Sequence, residues 1–547
     1  MRLFRLLLAT VLLPVASAAC GDSVSVIVRP SQSSGGGDEV IVSSAGGVPQ
    51  GSGGAGGIGG QGGVMQATAT TDAVSVSSGD AVTVVSSSVV ASSSVAASSS
   101  VMASSSVMAS SSVAASSSSS GGGVMCSKAS DCGSASCGWA CNSGMCTLAA
   151  KPKFTACYQD GGTGASCDGA GNCKVWVPIT ETNAPTPRFN HTVVWTGTRM
   201  IVWGGFTKAG LSNSGHLYDP KTDTWKTIST VNAPGPRHDH EALWLGTKMM
   251  IWGGYGNGCD AQAGGLYDPA TDTWTAIPTA GQPSARQSHA MVYTGSKVLV
   301  WGGRFGEKAG VNTGGVYNVA TNTWSPMATP ALKPRWNFSF GWQPPTLYKP
   351  NGLMFVWGGT DSFDWFKDGA MYDPVTNAWS AVDMSLGAPP SGGVPPTKVL
   401  ESMTAFPQSP VQGTGFFMFG GWDGGDFYNN VIYFWDISDQ KTPDGYWYQL
   451  QSMNAPLGRK DFTGVVLETG FFVWGGCGGD SCSSKYGDGG VWRQGNVWKP
   501  IPEDAALPKR PGPAVVWTGK AASEVIVWGG GAPGAYVGTG GRRALEP

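Results

Sequence analysis

The amino-acid sequence predicts an all-β fold, a propeller of seven small sheets, and three features carry that prediction. A large aromatic followed by Gly-Gly recurs seven times, after Trp203, Trp252, Trp301, Trp357, Phe419, Trp474 and Trp528. The first glycines of successive doublets are 49, 49, 56, 62, 55 and 54 residues apart, a period that suits one four-stranded blade of about 50 residues. A tryptophan that ends each unit also occurs seven times, as Trp176, Trp225, Trp274, Trp324, Trp379, Trp447 and Trp498.

Each unit reads as a four-strand meander. In the best-preserved one, HTVVW (191–195) and MIVW (200–203) are short, β-branched and aromatic, and a Thr-Gly turn separates them. The turn recurs at Leu245-Gly246, Thr294-Gly295 and Thr518-Gly519, and the fourth unit has Asn351-Gly352, a pair that tolerates positive φ. Then comes GHLYDPKTDTW (215–225), repeated as GGLYDPATDTW (264–274), GGVYNVATNTW (314–324) and GAMYDPVTNAW (369–379). Asp-Pro opens a turn because proline presets φ and the Asp side chain caps the backbone. The Gly-Gly ends the second strand, where a missing Cβ allows a bulge or close approach of the next blade.

The order of the two tallies implies how the ring closes. Trp176 precedes the first Gly-Gly, while GGRRALEP (540–547) aligns with GGLYDP. The last blade is therefore expected to have three strands of its own and to take the fourth from KVWVPIT (174–180). Such closure removes free sheet edges.

Arg-x-x-His, a hydrophobic run, Gly-Gly, then Tyr and Trp at fixed offsets resemble the kelch repeat, over about residues 174–547. The fifth unit departs from the pattern by inserting SDQKTPDGY before Trp447, and the sixth reads GGVWRQGNVW (489–498).

Upstream, residues 1–19 carry Arg2 and Arg5, the apolar LLLATVLLPVA and small residues before Cys20, the pattern of a secretory signal peptide. Small residues directly before a cysteine also resemble the bacterial lipoprotein signal, in which Cys20 is lipidated, although Ser17 replaces the usual aliphatic residue. Ordinary cleavage is the alternative. Residues 20–125 are rich in Ser and Gly and nearly free of aromatics, so they are expected to form a disordered tether. Their six-residue Val ladder, from Val89 to Val113, leaves a β-solenoid as the other reading.

Cys126, Cys132, Cys137, Cys141, Cys146, Cys157, Cys167 and Cys173 fall within 48 residues and predict a small disulfide-rich module at 126–173. Zinc would want short paired spacings or histidine, and the segment has neither Cys-x-x-Cys nor His. Cys477 and Cys482 are expected to bridge each other inside one loop, leaving Cys259 without an obvious partner.

Charged residues are only 13% and net charge is −2, so a basic field for nucleic acid is excluded. In a meander, the loop between strands two and three shares an end with the connection between blades. Two such loops are unusual: 360–368 holds Asp361, Phe363, Asp364, Trp365 and Phe366, and 422–430 holds Trp422, Asp423, Asp426, Phe427 and Tyr428. Aromatics beside carboxylates suit sugars, which stack their C–H faces and pair their hydroxyls. Caps that fold back on the blade tops are the competing reading.

His191, His240 and His289 share one repeat position, at which Phe338 and Phe462 also stand. They read as structural more readily than as a metal triad. Arg188, Arg237, Arg286, Arg335, Arg459 and Arg510 are expected to bridge neighbouring blades through backbone carbonyls. The chain also resembles galactose oxidase in being an exported kelch propeller. That resemblance would imply copper held by two tyrosines and two histidines, with a thioether for which Tyr255 and Cys259 are the nearest pair. The five histidines, His216 and His238 among them, do not match that set.

The expectation is thus a monomeric, surface-exposed recognition module at the outer membrane or cell surface, or alternatively secreted. Its partner is a glycan or an envelope or extracellular protein, with no cofactor and no metal. A carbohydrate-active or copper-dependent oxidase is the alternative.

Overall fold

The structure is a computed structural model. It describes residues 173–382 and 453–545 apart from short gaps, the turn 153–154, and strands within 139–148, 156–167, 403–405, 415–421, 432–436 and 446–450. Residues 1–125, with Cys20 and the tether, lie outside the described residues, as do Cys126, Cys132 and Cys137.

The described chain is all-β, and no helix in it is long and apolar enough to cross a membrane. Its main elements are four-stranded antiparallel sheets, seven of them among the described residues. The first pairs Thr192–Trp195, Met200–Trp203, Gly215–Asp219 and Thr224–Thr227 in chain order. The others begin with Glu241–Trp244, Ala290–Tyr293, Ser339–Gln343, Met403–Ala405, Thr463–Leu467 and Ala514–Trp517. In the seventh, the fourth strand is Val177–Pro178, which pairs with Gly541 and Arg542.

Burial grades across each sheet as the side chains require. Every residue of Met200–Trp203, Met249–Trp252 and Leu353–Trp357 is buried, as expected of a strand covered on both faces. In fourth strands such as Thr273–Ala276 only the tryptophan is buried. The apolar clusters lie between consecutive sheets: Ile201 and Trp203 pack with Met249, Ile251 and Trp274, and Met200 and Val202 pack with Ile526 and Trp528 of the seventh. First strands touch their successors in turn, and Ala514–Trp517 touches Thr192–Trp195.

Turn chemistry follows the sequence with one correction. Gly197, Gly246, Gly295 and Gly519 all have positive φ. In the fourth sheet, however, the connection spans 344–352, and of Asn351-Gly352 only the glycine has positive φ, at 67°. Asn351 Nδ2 donates instead to Asp373 Oδ2 at 2.8 Å, tying this loop to the next turn.

Residues before the first sheet form short strands of their own. Trp139–Asn142 pairs with Met145–Leu148, setting Cys141 opposite Cys146, and Ala156–Tyr158, Gly164–Cys167 and Cys173–Lys174 make a three-stranded sheet. Cys167 and Cys173 are both buried and both disulfide-bonded. The side chains of Cys141, Cys146 and Cys157 lie outside the described residues. This segment docks on the seventh sheet: Ala544 N donates to Ser166 Oγ at 3.0 Å, and the Arg542 guanidinium lies 3.8 Å over the Phe154 ring.

Candidate functional site: the loop end of the sheets

The repeated motif builds a rigid frame at one end of the sheets. In all but the fourth doublet, the second glycine donates its N–H to the main-chain carbonyl of the next unit's arginine: Gly205 to Arg237, Gly254 to Arg286, Gly303 to Arg335, Gly421 to Arg459 and Gly476 to Arg510. Gly530 donates to Arg188 at 3.0 Å, linking the seventh sheet to the first. The guanidinium itself turns the other way. Arg188 Nη1 donates to Gly204 O and Ser214 O, and Arg286 Nη1 to Gly302 O and Thr313 O, all within the arginine's own unit. The expected bridge between sheets is therefore made by the arginine's carbonyl, while its side chain saturates carbonyls at home. Burial lowers Arg188, Arg237, Arg286 and Arg510 to about 10, which still leaves them charged at neutral pH.

The doublet's lack of side chains has a direct cause. A Cβ on Gly204 would meet His240 Cε1 of the next sheet at 2.6 Å, and one on Gly205 would meet His191 Cβ of its own sheet at 2.8 Å. Both glycines also have positive φ, 70° and 88°.

The histidines are therefore wedges between sheets. His191 lies edge-on to Trp528 at 5.2 Å, His240 to Trp203 at 4.9 Å and His289 to Trp252 at 5.1 Å, while Phe338 does the same to Trp301 at 5.1 Å. Each imidazole belongs to a different sheet interface, so they do not converge with tyrosines as a copper site requires. Tyr255 packs on His238 at 5.7 Å, and Cys259 faces Gly256 in register, its side chain outside the described residues. Burial, helped by the neighbouring arginine, lowers His191 and His289 to about 3.

That depression has a sign. The unfolded histidines take up protons below about 6.5, whereas the folded ones resist until about 3, so stability present above pH 6.5 is lost as pH falls toward 3. His289→Phe, which copies the ring found at Phe338, is expected to flatten the acid limb of a melting-temperature profile and to change little at pH 8. An unaltered acid limb would refute the linkage.

Beyond the frame, the residue after five of the six arginines pairs with the residue after Gly-Gly: Phe189 with Phe206, His238 with Tyr255, Gln287 with Arg304, Trp336 with Thr360 and Lys460 with Cys477. This places the loop between strands two and three beside the connection between sheets, as the meander argument requires. Cys477 and Cys482 are disulfide-bonded as expected, with Cα atoms 5.1 Å apart. Asp461 Oδ2 lies 3.6 and 3.4 Å from their sulfurs, which are joined to each other.

The 360–368 loop divides the predicted site. Phe363 is 89% exposed and Asp364 is exposed, its carboxylate 3.2 Å from Lys333 Nζ. Trp365 is half-buried. Phe366 is a cap and no platform: it is buried, with the Arg335 guanidinium 4.3 Å over its ring. Asp361 folds the tip, its Oδ1 accepting from the N–H groups of Phe363 and Asp364 at 3.0 and 2.7 Å. Trp422, Asp423, Asp426, Phe427 and Tyr428 lie outside the described residues.

What sequence reading missed is the role of the position after each arginine. In the first two sheets it presents rings, and a signal existed: Phe189 and His238 each follow a repeat arginine, and Phe206 and Tyr255 each follow a Gly-Gly.

No curated protein matches the chain. A family model described as the KLHDC2/KLHL20/DRC7 Kelch-repeats domain matches residues 171–340 and 245–395, rather less than half of the 547 residues. The matched stretch covers the first four sheets, where the repeat is most regular, and together with the all-β strand pattern it supports a kelch β-propeller.

Proposed function

We propose that the chain is a surface-exposed recognition module: one closed seven-bladed propeller whose loop end binds a glycan or protein ligand. Ring closure is supported by the successive contacts of first strands, by the Gly530 to Arg188 hydrogen bond and by the borrowed strand Val177–Pro178. Kelch repeats suggest a protein-binding module. The observation that carries the reading is Phe363, left 89% exposed beside Asp364 and Trp365 on a loop anchored to a rigid repeated frame. Exposed aromatics on a fixed scaffold are the residue type that dominates binding energies.

The position of the module follows from the proposed N-terminus. Lipidation at Cys20 would tether the module through 20–125 to the outer membrane or cell surface, with 126–173 as a cystine-rich module and secretion as the alternative. The oxidase reading has less support, because the three repeat imidazoles serve three separate sheet interfaces.

Binding of residues 121–547 to a glycan array and to photo-cross-linked envelope proteins tests the function. Phe363→Ala and Trp365→Ala are expected to weaken a ligand held at the 360–368 loop, with melting temperature nearly unchanged. A ligand that binds both variants as well as the parent would place recognition elsewhere.

A further inference from the structure

We infer a second binding surface on the opposite part of the loop end, an aromatic arc over the seventh, first and second sheets that takes a neutral saccharide chain. The inference rests on the recognition reading and adds a site and a ligand class to it. The arc is continuous. Tyr536 packs on Phe189 at 5.6 Å, Phe189 stacks on Phe206 at 5.7 Å with planes 13° apart, Phe206 packs on His238 at 5.4 Å and His238 on Tyr255 at 5.7 Å. All five rings are half-buried, so each keeps part of its surface in solvent.

The repeat itself does not demand these rings. Four of them stand at the two positions after the arginine and after Gly-Gly, where the third sheet has Gln287 and Arg304 and the sixth has Lys460 and Cys477. The same backbone pairing is thus made elsewhere without facing rings, the fourth sheet having one ring, Trp336, opposite Thr360. The rings are a local choice on a conserved geometry, and such a choice costs solubility unless something covers it.

The rim of the arc selects the ligand. Asn190 and Asp239 both have left-handed backbone, φ 50° and 52°, two residues before the first strands of the first and second sheets. That conformation brings Asn190 Nδ2 to 2.7 Å from Asp239 Oδ1, in an exposed amide–carboxylate pair. Asp239 Oδ2 lies 3.0 Å from His238 Nδ1, at the edge of the arc. Among the described residues, the cation–ring contacts involve Phe154, Trp336, Phe366, Trp474 and Tyr486, none of them in the arc. Neutral rings bordered by a paired donor and acceptor suit a chain with apolar C–H faces and many hydroxyls. An anionic polymer would meet the Asp239 carboxylate.

The test is affinity electrophoresis of residues 121–547 in gels containing cellulose derivative, mannan, galactan, xylan or starch. Phe206→Ala, Tyr536→Ala at the end of the arc and Asn190→Ala at its rim are compared with Trp365→Ala, each after its melting temperature is checked. At least one neutral polysaccharide is expected to retard the parent, with roughly tenfold weaker binding for the arc variants, the size of one lost aromatic anchor. Trp365→Ala is expected to bind that polysaccharide like the parent. Retardation lost only in Trp365→Ala would overturn the arc and leave the loop reading standing. Absence of retardation, with a cross-linked protein ligand on the loop end, would overturn the saccharide and keep recognition. Neither retardation nor any cross-linked or arrayed ligand would overturn both.

Discussion

A chain that starts at Asn183 is expected to melt far below one that starts at Gly121 and to associate through the seventh sheet. The segment removed carries Trp176, Val177 and Ile179, all nearly inaccessible to solvent. The Trp176 ring lies edge-on to Trp474 at 5.5 Å, the main-chain N–H of Trp176 donates to Asp504 Oδ2 at 3.1 Å, and Ile179 N donates to Gly540 O at 3.1 Å. Thr180 reaches the first sheet from the same segment, its N–H donating to Asp223 Oδ1 and its carbonyl accepting from Trp225 Nε1. One short strand thus joins sheets six, seven and one. Loss of a buried tryptophan alone costs roughly 3–5 kcal/mol, and the exposed edge of Gly540–Ala544 adds a site for strand addition. Thermal melts followed by circular dichroism, with size-exclusion chromatography, check this. Equal melting temperatures would remove the basis for a ring closed by this strand.

Trp274→Ala should be nearly as damaging, and for a reason that separates frame from surface. Its ring is 5% exposed, packs 5.7 Å from Trp203 of the preceding sheet, and donates from Nε1 to Ser229 O at 2.8 Å. The substitution opens a cavity between two sheets and strands a carbonyl, at a cost of about 3–5 kcal/mol if the site cannot collapse. Trp365→Ala, on a half-buried ring in the loop, is expected to cost much less. Chemical denaturation of the two variants gives the comparison. A Trp365→Ala loss as large as that of Trp274→Ala would mark Trp365 as a cap like Phe366.

The repeat and its closing strand were legible because spacing encodes them. A doublet every 49 to 62 residues and a displaced Trp176 leave little freedom in how strands pair, and the pairing of Val177–Pro178 with Gly541 and Arg542 follows. The 360–368 loop was legible in composition only. Sequence grouped Phe363 with Phe366, yet one is 89% exposed and the other lies beneath a guanidinium. Two rings three residues apart in one loop differ in burial where Asp361 folds the tip, and nothing local announces which ring turns inward.

By itself the sequence determined the all-β class, the sheet-by-sheet repeat and the Cys477–Cys482 bridge, because strand period, turn residues and short spacing are local constraints. Only tertiary structure decided the rest. It showed that each arginine bridges sheets through its carbonyl and saturates its own unit with its side chain, because two chemical groups of one residue face different neighbours. It also brought Tyr536 beside Phe189, residues from opposite ends of the repeat region, since only closure of the first sheet on the seventh makes them adjacent.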